Sequence, residues 1–471
     1  MAQVNVNAAN TQEILWDSTQ LSEALSIAVP SFIEANSVSI DSRKISEGSI
    51  FVGIKGENFN GNLFAQDALD RGAILCILDA DTPKLQDVKN VIYVDNALAA
   101  LNQLGVYKRK NFKGEVIAVT GSAGKTTTKE MLRAAIGAHH SVYASFGNFN
   151  NNYGLALTLA NMPNEIDYAV IELGMNHAGE LTELSKIAKP DVSIITNIAP
   201  AHLEFFESVE DIARAKAEIF IGTKKGGYAI LNKDNQYFTI LEAEALKQKL
   251  NIISFGESQE ADFRLMSYKF GGKHSDITVL HNNTDFSYIL HASGKHNAIN
   301  SCAVLAAISC AQANIDAAVS KGFANFQAQS GRGELILNTT ARLKIFDQSY
   351  NANPESTKAA IANLGEYRDE KSRLIAILGD MRELGETAQE LHLSLLAPIL
   401  KANIDKVFCV GALMNSLYKK LPDAIKGAHA DTSKDMAKMI MQHLKPDDII
   451  LVKGSFSMDM QAIVNTLKNC G

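Results

Sequence analysis

The apolar run Val116-Ile-Ala-Val119 leads through Thr120 straight into Gly121-Ser-Ala-Gly-Lys-Thr126, and residues 127–136 are patterned as a helix. A short apolar run closed by a glycine turn and a helix is the opening of a βαβ unit, and it commits the segment to a buried, parallel sheet. The pattern recurs: apolar runs at 168–173 and 192–196 also alternate with helical stretches. The expected fold class is therefore α/β, with a doubly wound sheet at its centre.

A chain of 471 residues is too long for one core. Three blocks are expected, with boundaries at 1–110, 111–330 and 331–471. The first is small and α/β, with strand-like runs at 49–54 and 73–78 and a helical stretch at 96–109. It closes on the Lys-rich Lys108-Arg-Lys-Asn-Phe-Lys-Gly114, which reads as a linker. The second is a P-loop-type mononucleotide-binding domain. It includes an alternating patch at 262–293, expected to be antiparallel, and an Ala-rich helix at 298–313. The third follows Gly331-Arg-Gly333 and is Rossmann-like. Its strands at 374–378, 406–410 and 448–452 each meet a glycine within a residue or two, where strands deliver loops to a ligand crevice.

Charge and cysteine usage narrow the setting. A net charge of −7 offers no electrostatic footprint for nucleic acid. Five scattered cysteines without a C-x-x-C pair fit free thiols in a reducing compartment. The first residues carry no basic region leading into an apolar run, and no run approaches a membrane span. A cytoplasmic protein is expected.

The glycine loop is the first candidate for chemistry. The usual phosphate loop is G-x-x-x-x-G-K-[ST], but here Val119 stands where the first glycine belongs. What remains still lets backbone N–H groups approach phosphate oxygens, with Lys125 reaching the terminal phosphates and Thr126 a magnesium ion. The alternative is a plain strand-to-helix turn with an exposed lysine. Glu172, closing an apolar strand, is costly to bury unless satisfied by a cation or donors. His202, in Pro200-Ala-His-Leu-Glu204, suits either a ligand or a hydrogen-bonded loop. Lys216 lies in an amphipathic helical stretch, where a solvated lysine is the ordinary outcome.

Taken together, Gly121–Thr126, Glu172-Leu-Gly-Met-Asn-His177, Ala201-His-Leu-Glu204, Ala213-Arg-Ala-Lys-Ala-Glu218 and Gly294-Lys-His-Asn-Ala-Ile-Asn300 resemble the Mur ligases of peptidoglycan synthesis. The shortened loop is that family's normal form, and the motifs run in order along nearly the whole chain. The resemblance implies an ATP-dependent carboxylate–amine ligase. Residues Gly121, Ser122, Ala123, Gly124, Lys125, Thr126 and Thr127 would surround the phosphates of ATP. Thr126, Glu172 and His202 would contact magnesium at two sites. Lys216 would be carbamylated by carbon dioxide, becoming a further metal contact. Asn297 and Asn300 would lie on the adenine side, Arg332 would reach the γ-phosphate, and Asp347 the ribose, with Tyr350 beside it. Lys125, Glu172, His202, Lys216 and Arg332 form the implied catalytic set.

Within the family, Ile40-Asp-Ser-Arg-Lys44 has the form shared by the two later ligases and would seat UDP through Ser42 and Arg43. The loop Gly147-Asn-Phe-Asn-Asn-Asn-Tyr-Gly154 implies sugar-nucleotide contacts from Asn151 and Asn152, and His177 joins that side. With Gly379-Asp-Met-Arg-Glu-Leu-Gly-Glu386 and His392, it favours the member that adds D-Ala-D-Ala to UDP-N-acetylmuramoyl-tripeptide, expected to act as a monomer. The Asp-Asn-Pro-Arg motif of the tripeptide-forming ligase is absent. That ligase and a folylpolyglutamate synthase remain the near alternatives. A nucleotide switch is a distant one, since no N-K-x-D or T-K-x-D guanine-reading sequence occurs. One departure stands out: Phe456 occupies a position where the family pattern implies arginine.

Overall fold

The computed structural model describes residues 13–56, 59–85, 88–147, 149–311 and 315–470. It divides into two compact units. One holds Met1–Val116, His140–Leu173 and Lys186–Ala188, and the other Ile117–His139, Gly174–Ser185 and Lys189–Gly471.

The first unit carries a four-stranded parallel sheet in the order Ser37–Ser39, Ser49–Val52, Ala73–Asp79, Val91–Val94. Helix Ala97–Asn111, capped by the Asn96 side chain on the Ala99 amide, covers it and packs against helix Asn152–Ala160. Gly105 allows the close approach, since a Cβ there would lie 3.1 Å from the Ala156 carbonyl oxygen. Trp16 is fully buried among these elements and donates its indole N–H to the Ala160 carbonyl at 2.8 Å.

The expected linker at 108–114 needs correcting. The helix runs on to Asn111, and its lysine and arginine turn inward. Lys108 donates to the Leu15 carbonyl at 2.5 Å and to Asn164 at 2.6 Å, with its ammonium over the Trp16 ring. Arg109 donates to the Ala188 carbonyl at 2.5 Å. Long side chains that can bury their stems and reach carbonyl acceptors read as linker residues only while those acceptors are unknown.

The second unit holds two sheets. In the first, strand Glu115–Thr120 (from Ile117 on) and strands Val192–Ile195, Tyr228–Asn232, Asn251–Gly256 and Phe263–Phe270 pair in parallel, in that order. Phe263–Phe270, Ser275–His281 and Thr284–Leu290 then form the antiparallel patch expected from the alternation at 262–293. The Ala-rich helix spans Lys295–Cys310, starting earlier than expected, while the expected end at Ala313 lies outside the described residues. The second sheet runs Glu334–Asn338, Leu343–Gln348, Ile449–Lys453, Leu374–Gly379, Lys406–Val410, Lys426–Ala430, parallel except for its first, edge strand. Ile449–Lys453, last in sequence, sits between the second and third strands, so the strand order reverses there. In such sheets the loops at the carboxyl ends of the strands around that point form the binding crevice. Asp347, Lys453 and Asp380 all belong to this edge.

Candidate active site

The glycine loop is shaped by its neighbours in the second unit. Gly121 has φ +148°, and a Cβ there would fall 2.0 Å from Thr196 Oγ1, so only glycine fits. Thr196 Oγ1 donates to the Ala123 carbonyl at 2.5 Å, and the Ser122 amide donates to the Asn197 carbonyl at 2.8 Å. Gly124, with φ +84°, caps helix Lys125–Ile136 without a side-chain cap, and the Asn300 carboxamide lies against it. Uncapped N–H groups at a helix start and a lysine at its first position form an anion-binding end. Lys125 donates Nζ to the Gly121 carbonyl at 2.7 Å, and Thr126 is buried beside it. Thr127 follows in the same turn, and Asn297 donates to the Ser293 carbonyl at 2.7 Å.

Lys216 is only 1% exposed, although its helix Val209–Ala217 is amphipathic. Burial, and secondly the charge of Lys125, pushes its amine well below the ordinary lysine range. A neutral amine is a nucleophile, as carbamate formation requires. The solvated-lysine outcome is overturned, because the helix face carrying Lys216 is turned inward.

His202 adopts φ +61° and its Nδ1 lies 2.5 Å from Glu383 Oε2. That bond holds the Glu383 carboxyl below the usual range, against the opposing effect of burial. His177 is exposed and meets Phe205 edge-on at 4.6 Å.

The carboxyl-end edge of the second sheet of this unit contributes further groups. Arg332 stacks over Tyr350, its guanidinium carbon 4.0 Å from the ring centre, and Phe456 packs on Tyr350 at 5.5 Å. Asp347 is wholly buried. Its Oδ2 accepts from Ser330 Oγ and the Gly331 amide, and its Oδ1 from the Ser349 amide and hydroxyl. The structure thus places this residue, expected at the ribose, under the turn that presents Arg332. Lys453 donates to the Asn351 carbonyl at 2.8 Å, and burial, then Arg332, lowers it to about 7. His296 is lowered to about 4 by burial, then by Lys453.

In the first unit, Glu172 is 1% exposed, accepting from Asn150 Nδ2 at 2.8 Å. Asn151 caps helix Asn152–Ala160 by accepting the Gly154 amide, and Asn152 opens that helix, exposed. A cavity of about 1110 Å³ lies in this unit, lined by Ser42, Arg43, Phe59, Phe64, Phe146 and Phe149 among others. Ser42 is buried there, while Arg43 is exposed and paired with Asp41 at 2.8 Å.

Among the described residues no three His, Cys, Asp or Glu side chains gather into a metal-binding group. The buried Thr126 hydroxyl and Glu172 carboxylate are hard oxygen donors of the kind magnesium takes together with substrate phosphates and water. Sequence reasoning passed over Asn150, Asn353, Glu383, Lys453 and His296. A lysine closing the apolar strand at 448–452 was a usable signal for Lys453. The others have partners far away in sequence.

Similarity to known proteins covers nearly the whole chain. Residues 34–109 match the Mur ligase family catalytic domain, 119–308 the Mur ligase middle domain, and 331–456 the Mur ligase glutamate ligase domain. The UDP-N-acetylmuramoyl-tripeptide–D-alanyl-D-alanine ligase of Rickettsia prowazekii is 37% identical, over 96% of this chain and 99% of its own. The Bacillus subtilis enzyme of the same name is 35% identical, over 91% and 92%. Among solved structures, MurF from Acinetobacter baumannii superposes with a TM-score of 0.83 at 28% identity, covering 97% of this chain and 99% of that one. MurF ligase from Thermotoga maritima in complex with ADP gives 0.77 at 26%, covering 92% and 97%.

Proposed function

Since this chain belongs to the Mur ligase family, we propose that it joins D-alanyl-D-alanine to UDP-N-acetylmuramoyl-tripeptide at the cost of ATP, the last amino-acid addition to the cytoplasmic peptidoglycan precursor. The observation that carries this reading is the shortened glycine loop with Lys125 folded on it and a fully buried Lys216 that feels the charge of Lys125.

A carboxylate is a poor electrophile. ATP therefore phosphorylates the terminal carboxylate of the tripeptide, the free amine of D-Ala-D-Ala attacks the acyl phosphate, and phosphate leaves. Lys125, the loop amides and Arg332 neutralise charge on the transferring phosphoryl group. Magnesium, when bound, neutralises phosphate charge, and Thr126, Glu172, His202 and Lys216 as its carbamate are the residues proposed to hold it. The carbamate forms when the neutral Lys216 amine adds to carbon dioxide and releases a proton. Asn297 and Asn300 serve the adenine side. Tyr350 supports Arg332, and Asp347 acts on the nucleotide through the turn that carries Arg332.

Ser42 and Arg43, with Asn151, Asn152 and His177, are proposed to take the sugar nucleotide. The proposed domains are 1–110 for the UDP-sugar, 111–330 for ATP, and 331–471 for the dipeptide side, closing over ATP to keep the acyl phosphate from water. No helix among the described residues is long and apolar enough to cross a membrane. A monomer in the cytoplasm accords with this reading.

The deciding experiment is phosphate release from ATP with UDP-N-acetylmuramoyl-tripeptide, with and without D-Ala-D-Ala. Dependence on the dipeptide, and not on diaminopimelate, lysine or glutamate, supports the proposal. Turnover with one of those amino acids instead would transfer the assignment to the tripeptide-forming ligase or a folylpolyglutamate synthase.

A further inference from the structure

His202 and Glu383 are 181 positions apart, and their side chains meet at 2.5 Å. Both are non-glycine residues in the left-handed region, at φ +61° and +62°. Such a conformation costs about 1 kcal/mol or more per residue and persists only where the surroundings over-determine it. A second bond lies alongside: the Glu204 amide donates to the Glu383 carbonyl at 3.2 Å. Two residues on, Gly385 has φ +57°, and a Cβ there would lie 3.6 Å from the Glu204 backbone. The Gly379–Glu386 loop is therefore seated on the turn that carries His202, and the meeting of the two side chains is no chance of flexible tips.

The His202 turn is in turn bonded to the glycine loop. Besides the Ser122 amide on Asn197, Ser122 Oγ donates to the Ala199 carbonyl at 3.0 Å. A line of hydrogen bonds thus runs from the phosphate loop through the His202 turn to Glu383.

We infer that Glu383 is a positioning residue: its carboxylate holds the His202 ring by a proton on Nδ1 and so turns Nε2 outward to face a cation. A carboxylate on one ring nitrogen fixes both tautomer and orientation at the other, and loss of such a partner typically weakens metal affinity 10- to 100-fold. Because Glu383 lies on the loop that follows strand Leu374–Gly379, seating of that loop and orientation of the histidine become one event. The inference rests on the ligase reading only for its kinetic arm.

The test compares Glu383→Ala with Glu383→Gln in the full chain. Selective ¹⁵N-histidine labelling, with His202 assigned by His202→Gln, reads the protonation of each ring nitrogen above pH 8 in the free protein. Wild type and Glu383→Gln, whose amide oxygen still accepts, should show the Nδ1–H form, and Glu383→Ala a shift towards Nε2–H. In the ligase assay, Glu383→Ala should raise the magnesium concentration for half-maximal rate about tenfold, with the KM for D-Ala-D-Ala unchanged. An unaltered ring pattern in Glu383→Ala, or an unmoved magnesium midpoint in an active enzyme, overturns the inference. A wild-type protein with no ligase activity would defeat the functional reading instead, and the ring pattern would still decide the role of Glu383.

Discussion

Asn353 does two things with one side chain: its Oδ1 accepts the Ser356 amide to cap helix Pro354–Gly365, and its Nδ2 donates to the Ser122 carbonyl of the glycine loop at 3.1 Å. The residue therefore ties the second sheet of its unit to the phosphate loop of the first. Asn353→Asp keeps the cap acceptor and loses the donor. It should melt within a degree or two of wild type yet lose ligase rate severalfold, because a carboxylate now faces a carbonyl. Asn353→Ala should lose the rate and also about 1 kcal/mol of stability. Thermal melts and phosphate release, run side by side, separate the two effects.

Lys125→Ala should fold normally and lose activity at least about a hundredfold, the loss expected if its ammonium has the proposed role of meeting charge on the transferring phosphoryl group. Circular dichroism with the phosphate-release assay checks both halves. Near-normal turnover would defeat the assignment.

Lys216→Ala should be inactive and partly recovered by added formate or acetate, whose carboxylate can stand where the carbamate oxygens would. Activity against acid concentration is the measurement. An inactive, folded variant that no small acid revives would remove the carbamate from the account.

His296 makes stability acid-sensitive. Its folded value of about 4 lies below the ordinary 6.5, so between those values the unfolded chain binds the extra proton. Acid then favours unfolding, and stability contributed above pH 6.5 is lost as pH falls towards 4. The shift corresponds to about 3 kcal/mol at most. Urea titrations at several pH values should show a shallower acid arm for His296→Gln than for wild type.

Lys108→Met should destabilise by about 1–3 kcal/mol, because the Leu15 carbonyl loses its buried donor. Lys113→Met, at an exposed position just past the helix, should leave the urea midpoint unmoved.

What the order of residues determined by itself was everything with a short period. The apolar strands, the glycine loop between strand and helix, and the antiparallel patch at 262–293 are local patterns, and they stand in the structure within a residue or two. The spaced motifs also carried the family likeness. Tertiary structure alone decided which polar groups went inside. Lys108 and Lys216 have the helical setting of solvated lysines, and only the neighbours supplied by the fold turned one into a clamp and pushed the other's amine well below the ordinary lysine range. Asp347 was singled out from its motif, but two of the donors that satisfy its buried carboxylate come from a turn 16 and 17 positions upstream. The bonds from Asn353 to Ser122 and from Glu383 to His202 span 231 and 181 positions. Periodicity records which face of an element is buried. It does not record what waits on the other side, and the chemistry of a buried charge is set by that partner.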